Sequence, residues 1–366
     1  MKVLLTSGIY PPDIGGPATF IPKLARQLEE QNHQVVVVAL GEKDSIQLQQ
    51  NLKVRIIKRN QNILLRMFKT FFVVTSELMK SDVLFSNGLF LESALALLLM
   101  PKKNSVVKIV GDPVWERSRN KGTTTLKFEE FTISRLSFNQ TIQRRIYSLA
   151  WRNFKHCTSP SLELCNFVES SIGDKKCIHI PNGVDIKKTR NPKSEFDLIT
   201  VCRLVSWKNI STVIEAASAL DLRVAVIGGG PEYSNLMNLS KKMNANVEFI
   251  GEVPPNIVND YLLRSRMFVQ ISDYEGLSFS LLEAMSCGLV PIVSNTPGNL
   301  AVIHDGKNGK VVRLENKKED LLDSISSLLT KNGLFEELSS SAVETVREVY
   351  DGYALRNKII QLILGN

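Results

Sequence analysis

Short apolar runs alternate with longer amphipathic stretches along both halves of the chain. The runs predict buried strands at 3–8, 35–39, 52–58, 82–86, 105–111, 178–180, 198–202, 224–227, 247–251 and 291–293. Stretches with helical spacing lie between them, such as residues 62–80, where apolar and basic side chains interleave. This order predicts an α/β protein with two domains, each built on a mainly parallel sheet.

Changes in the pattern mark the expected domain boundaries. The first domain is expected over residues 1–185, the second over 186–348, and a C-terminal helix that crosses back to the first domain over 349–366. Residues 186–195 are polar and aperiodic, which indicates a linker. We expect the first helix to begin near Thr19, because Pro22 is tolerated only within a first helical turn.

The pattern over residues 268–298 predicts a strand, a loop, a helix and a second strand. An apolar run is followed by a loop, and a helix is predicted to begin at Leu277 or Ser278 and to end near Gly288. In a parallel sheet, the loop after a strand's carboxyl end is where ligands bind. We therefore expect ligand-binding residues in this loop.

Two glutamates in this stretch have a spacing suited to a nucleotide ligand. Glu275 lies in the loop, and Glu283 is about 7.5 Å along the helix axis from Ser278. Free N–H groups of Gly276, Leu277 and Ser278 at the helix start suit a phosphate. Glu283 would accept hydrogen bonds from ribose hydroxyls and Glu275 from a sugar; the alternative is two ordinary helix-start and helix-face acids.

The same stretch resembles a known donor-site signature. It resembles the motif of the retaining glycosyltransferases of family 4 in the order Glu275, seven residues, Glu283, then Ala-Met-Ser-Cys-Gly and Pro-Ile-Val. The resemblance implies the glycosyltransferase B fold, with two Rossmann-like domains facing a central cleft, an acceptor-binding first domain and a nucleotide-sugar-binding second domain. It also implies sugar transfer from a nucleotide-diphosphate-sugar with retention of configuration, with no cofactor.

Other residues match the family pattern at single positions. Arg203 and Lys208 resemble the pair that neutralises the donor diphosphate, Gly15 and Gly16 resemble a turn that faces it, and Val253 lies where the family flanks the nucleobase. Seen alone, the two cations could be surface charges and the glycine pair a plain tight turn. No aspartate-x-aspartate motif is present, so we expect protein cations rather than a metal to stabilise the leaving group.

Asp112 departs from the family pattern. Many members have a histidine near this position, and an aspartate at a strand's carboxyl end is where a catalytic residue would lie. An aspartate that caps a turn before proline is the alternative. The polar, basic run 117–127 is expected to be a mobile acceptor loop.

Charge is distributed unevenly over a composition typical of a soluble protein, with 43% hydrophobic and 22% charged residues. Residues 1–182 carry 25 Lys and Arg against 15 Asp and Glu, a net charge of +10, whereas the remainder carries 20 against 22. Five cysteines without metal-like spacing, and no signal-peptide pattern, indicate a cytoplasmic protein. The basic half predicts an anionic partner; nucleic acid is disfavoured, since no nucleic-acid-binding motif is found.

The region 53–80 combines basic residues with Phe68, Phe71 and Phe72. It favours peripheral attachment to an anionic membrane and a lipid-linked or cell-envelope glycan acceptor, although the apolar side chains could instead be core. A soluble phosphorylated acceptor is an open alternative. A nucleotide-sugar 2-epimerase shares the same architecture; an exported sugar-binding protein and a membrane adaptor fit the sequence less well.

Overall fold

The computed structural model describes residues 1–13, 15–173, 176–186 and 194–365. Contacts divide the chain into two units, one of Met1–Pro181 with Ala354–Asn366 and one of Asn182–Tyr353. Most of the expected linker 186–195 lies outside the described residues. Within the described residues, no helix is both long enough and apolar enough to cross a membrane.

The first unit is built on one twisted sheet whose described strands follow the order β3-β4-β2-β1-β5-β6-β7-β8. Its strands are β1 (Lys2–Ser7), β2 (Gln34–Gly41), β3 (Ser45–Leu48), β4 (Leu52–Lys58), β5 (Val83–Asn87), β6 (Asn104–Lys108), β7 (His156–Ser159) and β8 (Cys177–His179). All neighbouring pairs are parallel except β3 with β4, which is antiparallel. Its helices are α1 (Gly16–Glu30), α2 (Ile63–Met79), α3 (Phe90–Leu99), α4 (Pro113–Asn120), α5 (Phe128–Ile133), α6 (Phe138–Arg152) and α7 (Leu162–Ile172).

The second unit holds a parallel sheet whose described strands follow the order β11-β10-β9-β12-β13-β14. Its strands are β9 (Phe196–Val201), β10 (Val224–Ile227), β11 (Val247–Gly251), β12 (Ser265–Gln270), β13 (Val290–Ser294) and β14 (Lys310–Val312). Its helices are α8 (Ile210–Leu220), α9 (Tyr233–Lys242), α10 (Pro255–Leu263), α11 (Phe279–Ser286), α12 (Pro297–Leu300), α13 (Lys317–Thr330) and α14 (Leu334–Val349). Buried aliphatic side chains form one core cluster on each face of this sheet, as expected for a parallel sheet covered by helices.

The last helix, α15 (Gly352–Leu364), belongs to the first unit from Ala354 onward. The Asn104 Nδ2 group donates to the carbonyl oxygens of Leu362 and Ile363, at 3.0 and 2.7 Å. Near the start of the helix, the Gln27 side chain bonds Arg356 at 2.7 Å. These bonds tie the C-terminal helix to α1 and to the start of β6.

Two local expectations are wrong. Helix α1 begins at Gly16 rather than near Thr19, so Pro22 lies inside the helix. The fully buried Ile21 and Leu24 pack the helix against the sheet, and this packing outweighs the backbone hydrogen bond that Pro22 cannot make. The run 117–127 is not a continuous loop, because α4 extends to Asn120.

Candidate active site

The carboxyl edge of the second sheet brings the predicted donor residues together. Strand β9 lies between β10 and β12, so the chain crosses from one side of β9 to the other and creates a topological switch point. The segment after β9 carries Arg203 and Lys208, and the loop after β12 carries Glu275. Ligands of open parallel sheets bind at such points.

Lys208 and Glu275 form an ion pair between Nζ and Oε1. Their side chains are only 16% and 10% exposed, so both charges are held largely out of water. The sequence motif implies separate contacts of these two residues with different parts of a ligand and does not predict the pair. Arg203 is exposed and forms no ion pair with any described residue. This edge therefore presents one exposed cation, Arg203, and one cation engaged in an ion pair, Lys208.

A glycine turn supports the segment that carries Arg203. Gly228 and Gly230 have φ of +131° and +152°, a region that only glycine adopts readily. A Cβ atom at Gly228 would lie 1.9 Å from the Cys202 carbonyl oxygen, and one at Gly230 would lie 2.3 Å from that of Leu204. The turn after β10 is therefore structural, and it packs directly against the backbone on both sides of Arg203.

Hydrogen bonds join the loops after β9 and β12. The Asp273 amide donates to the Trp207 carbonyl oxygen at 2.9 Å. The Asn209 Nδ2 group donates to Asp273 Oδ1 at 2.8 Å, and Asn209 Oδ1 accepts from Lys317 Nζ at 2.6 Å. Because Trp207 and Asn209 flank Lys208, these bonds fix the lysine relative to the β12 loop. The sequence analysis does not single out Asn209, whose backbone is left-handed (φ +47°).

Gly298 is a second positioning residue. A Cβ atom there would lie 2.0 Å from the Glu275 carbonyl oxygen and 2.4 Å from that of Gly276. Any larger residue would push the Glu275 loop away. The buried Asn182 supports the same loop from another side, since its Nδ2 donates to the Leu277 carbonyl oxygen at 2.8 Å.

Helix α11 begins where the spacing predicted. Ser278 is its N-cap, and Ser278 Oγ accepts a hydrogen bond from the Leu281 amide at 3.3 Å. Within residues 194–365, the amides of Gly276, Leu277 and Ser278 donate no backbone hydrogen bond, so they are available to an anion. Glu283 lies one turn further along α11, partly exposed, and Val253 follows β11 near the same core.

Gly15, Gly16 and Asp112 lie in the first unit. Gly15 is the N-cap of α1 with φ +147°, and a Cβ there would lie 2.8 Å from Ile9 Cδ1. Gly16 is the first residue of α1, and Ile14, which precedes the glycine pair, lies outside the described residues. The donor contact of the glycine pair stays a prediction.

Asp112 has the structural role that was its alternative. It is 1% exposed and caps α4, with Oδ1 accepting from the Val114 amide at 2.9 Å. Its Oδ2 accepts from Arg144 Nη2 at 2.6 Å. Both carboxylate oxygens are thus engaged by the protein, and the catalytic role of Asp112 stays a prediction without geometric support.

Comparison with known proteins identifies the class. A model of glycosyltransferase family 4 matches residues 14–188, and a model of the group 1 glycosyl transferases matches residues 183–348. The two matches together run from residue 14 to residue 348. The chain is therefore a group 1, family 4 glycosyltransferase.

Individual relatives agree with this assignment. The chain is 23% identical to an uncharacterized glycosyltransferase of Methanocaldococcus jannaschii, over 96% of this chain and 95% of the relative. It is 24% identical to a phosphatidylinositol N-acetylglucosaminyltransferase component of Arabidopsis thaliana, over 90% of this chain and 74% of the relative. Among solved structures, Anabaena HepE in complex with UDP-glucose is similar with a TM-score of 0.79 over 100% of both chains, at 16% identity. At that identity the likeness concerns the fold, and it confirms the predicted glycosyltransferase B class.

Proposed function

We propose that the protein is a retaining glycosyltransferase that moves a sugar from a nucleotide-diphosphate-sugar to an acceptor hydroxyl. The observation that carries the proposal is the Lys208–Glu275 pair beside the exposed Arg203, at the switch point of the second sheet. The complex of the similar HepE structure with UDP-glucose supports a nucleotide-sugar as the donor.

The residues suggest how the glycosidic bond to the diphosphate breaks. As the bond lengthens, negative charge develops on the diphosphate, and fixed cations beside it stabilise the transition state. Arg203, Lys208 and the free amides before α11 would supply that positive potential without a metal ion. When the diphosphate engages Lys208, Glu275 is released from its partner and can accept hydrogen bonds from the transferred sugar.

Donor turnover tests this proposal. The protein is incubated with a panel of nucleotide sugars, and nucleoside diphosphate release and product configuration are followed by NMR. Arg203→Ala should lower turnover at least about tenfold, or about 1.4 kcal/mol in the barrier, whereas the exposed Arg347→Ala should not. Equal turnover in both variants would contradict the assignment, and an isomerised donor without transfer would indicate an epimerase.

We further propose a lipid-linked acceptor at the inner face of the cytoplasmic membrane. Helices α2 and α3 pack against each other and leave large apolar side chains in solvent. The side chains that are about half to two-thirds exposed are Ile63, Leu64, Leu65, Phe68, Phe72 and Met79 on α2 and Leu95, Leu98 and Leu99 on α3. An apolar surface of this kind marks an interaction site, and the Arabidopsis relative is named for action on phosphatidylinositol, a lipid.

The charges around α2 differ from what the sequence suggested. Lys53 and Arg55 pair with the buried Glu77, and Lys69 pairs with Asp44. These cations are neutralised within the protein and attract a membrane less than isolated charges would. Exposed cations near the two helices include Lys58, Lys80 and Lys102. Apolar insertion should therefore dominate attachment, with the charges favouring anionic lipid.

Vesicle flotation tests the membrane proposal. The protein should bind vesicles that contain anionic lipid more tightly than neutral ones, and raised salt should weaken the binding without abolishing it. The exposed Val349 of the second unit offers a control, because Val349→Ser removes apolar surface elsewhere and should leave binding unchanged. No flotation with anionic vesicles at low salt would indicate a soluble acceptor.

A further inference from the structure

A pocket of about 360 Å³ opens at the carboxyl edge of the first sheet. Its lining includes Gly8, which follows β1, and Leu40, which lies at the end of β2. Residues 89–92, which follow β5 and include the first residues of α3, also line it. Strand β1 lies between β2 and β5, so this pocket occupies the switch point of the first sheet. It is the counterpart, within the first unit, of the edge that carries Arg203 in the second.

The backbone around the pocket is specialised. Gly88 has φ +134°, and a Cβ there would lie 2.2 Å from the Gly8 nitrogen, so the loops after β1 and β5 can approach this closely only because Gly88 has no side chain. Leu89 follows with φ +53°, a left-handed conformation that costs a non-glycine residue about 1–2 kcal/mol. Such strain accumulates at functional sites.

Two arginines give the pocket its positive charge. Arg66 Nη1 has one long bond of 3.5 Å, to the Arg59 carbonyl oxygen, and its Nε is buried without a hydrogen-bond partner. Arg117 donates to Gln143 Oε1 at 2.7 Å and to the Tyr147 hydroxyl at 3.3 Å, both neutral groups. Neither guanidinium forms an ion pair with a described residue; Arg66 is half-buried and Arg117 is exposed.

Among the described lining residues, Glu92 is the one acidic side chain. Burial raises the pKa of the Glu92 carboxyl, and the nearby Arg66 guanidinium partly opposes this rise. The described lining thus carries two arginines against one carboxyl group, an excess of positive charge. An anion is the ligand that this electrostatic arrangement favours.

The remainder of the lining is apolar. Ile63, Met67, Phe90, Leu91 and Ile146 contribute hydrocarbon surface. Ile63 is also 60% exposed, and helix α2 therefore takes part in both the pocket and the exposed apolar surface proposed to meet the membrane. A ligand that suits the pocket combines an anionic group with an aliphatic chain.

We propose that this pocket binds the phosphate or diphosphate group of a phosphorylated lipid acceptor, with Arg66 and Arg117 as its ligands. The inference rests on the proposed transferase function and names the chemistry of its acceptor. The two guanidinium groups would hold the phosphate, and the apolar lining would receive the first part of the lipid chain, which continues toward the exposed face of α2 and α3.

Binding of farnesyl diphosphate, a soluble probe with both features, tests the proposal by isothermal titration calorimetry. Arg66→Gln and Arg117→Gln should each weaken binding at least about tenfold. Arg26→Gln is the matched control, because Arg26 is an 83% exposed arginine of α1 in the same unit, and its loss should have no effect. Arg66→Lys, which keeps the charge but loses the planar fork, should have an intermediate affinity.

The comparison probes distinguish the sources of the anion. Inorganic pyrophosphate should bind at least tenfold more weakly than farnesyl diphosphate; equal binding would overturn the lipid part of the proposal. Unchanged affinity in both glutamine variants, or an equal loss in Arg26→Gln, would overturn the pocket assignment. Arg66 and Arg117 lie in the first unit, whereas the proposed donor site lies in the second. Nucleoside diphosphate binding should therefore be retained in both glutamine variants, and this measurement separates failure of the acceptor proposal from failure of the proposed transferase function.

Discussion

Removing Lys208 should destabilise the second unit as well as impair its chemistry. Lys208→Met leaves the Glu275 carboxylate, which is 10% exposed, without its cation. Breaking a buried ion pair from one side costs about 3–5 kcal/mol, and the residual exposure of both side chains favours the lower end, about 3 kcal/mol. For a unit of about this size, each kcal/mol shifts Tm by about 2–4 °C, so we expect a shift of about 6–12 °C.

A double-mutant cycle with thermal unfolding measures the pair. The variant Lys208→Met/Glu275→Gln removes both charges, so its loss in free energy of unfolding should be smaller than the sum of the losses in the two single variants by about 1–3 kcal/mol. Lys318→Met is the matched control, because Lys318 pairs with Glu215 at 3.1 Å while 49% exposed, and exposed pairs contribute about 0–1 kcal/mol. If Lys208→Met lowers Tm no more than Lys318→Met does, the pair is not the buried interaction that the geometry indicates.

Three further predictions concern the donor, the membrane and pH. Glu283→Ala should weaken binding of the nucleoside diphosphate in calorimetry, whereas Glu275→Ala should mainly reduce turnover; parent-like behaviour of both would contradict the motif. The double variant Phe68→Ser/Phe72→Ser removes two side chains that are each 63% exposed. Each contributes about 1 kcal/mol when it inserts into the membrane, so vesicle binding should weaken about thirtyfold. Unchanged flotation would exclude this face as the membrane-binding surface. Burial lowers the pKa of Lys108 to about 7, so above that pH the unfolded chain holds more protons than the folded one, and the free energy of unfolding should rise from pH 7 toward pH 10. Denaturant titrations should show that this rise is largely lost in Lys108→Met. An identical pH profile in the variant and the parent would contradict the prediction.

Continuous apolar runs made most of the fold predictable from sequence. Strands β10 and β11 coincide with the predicted 224–227 and 247–251, because each run is mostly buried or half-buried and is bounded by glycine or polar residues. Helix α11 begins within two residues of the predicted start, because Ser278 is both the cap and the last residue before the apolar stripe. Strand β3 was missed since all four of its residues are exposed at the sheet edge, where no burial pattern forms.

The site was only partly predictable, because its geometry depends on contacts between distant residues. The motif placed Glu275, Lys208 and Arg203 at strand ends, but Lys208 and Glu275 are 67 positions apart, and only the order of the strands makes them meet. The role of Gly298 depends on a close approach to the Glu275 backbone that no local pattern encodes. Asp112 shows the opposite case, where a plausible catalytic position is occupied by a helix cap and an ion pair.

The most direct test of the account is calorimetric titration of the intact protein with UDP, GDP and ADP in the presence of a chelator. We expect at least one of them to bind, and Arg203→Ala to weaken this binding at least about tenfold, or about 1.4 kcal/mol, with Arg347→Ala unchanged. Absence of binding by all three, binding that requires an added divalent metal, or equal affinity in Arg203→Ala would contradict it.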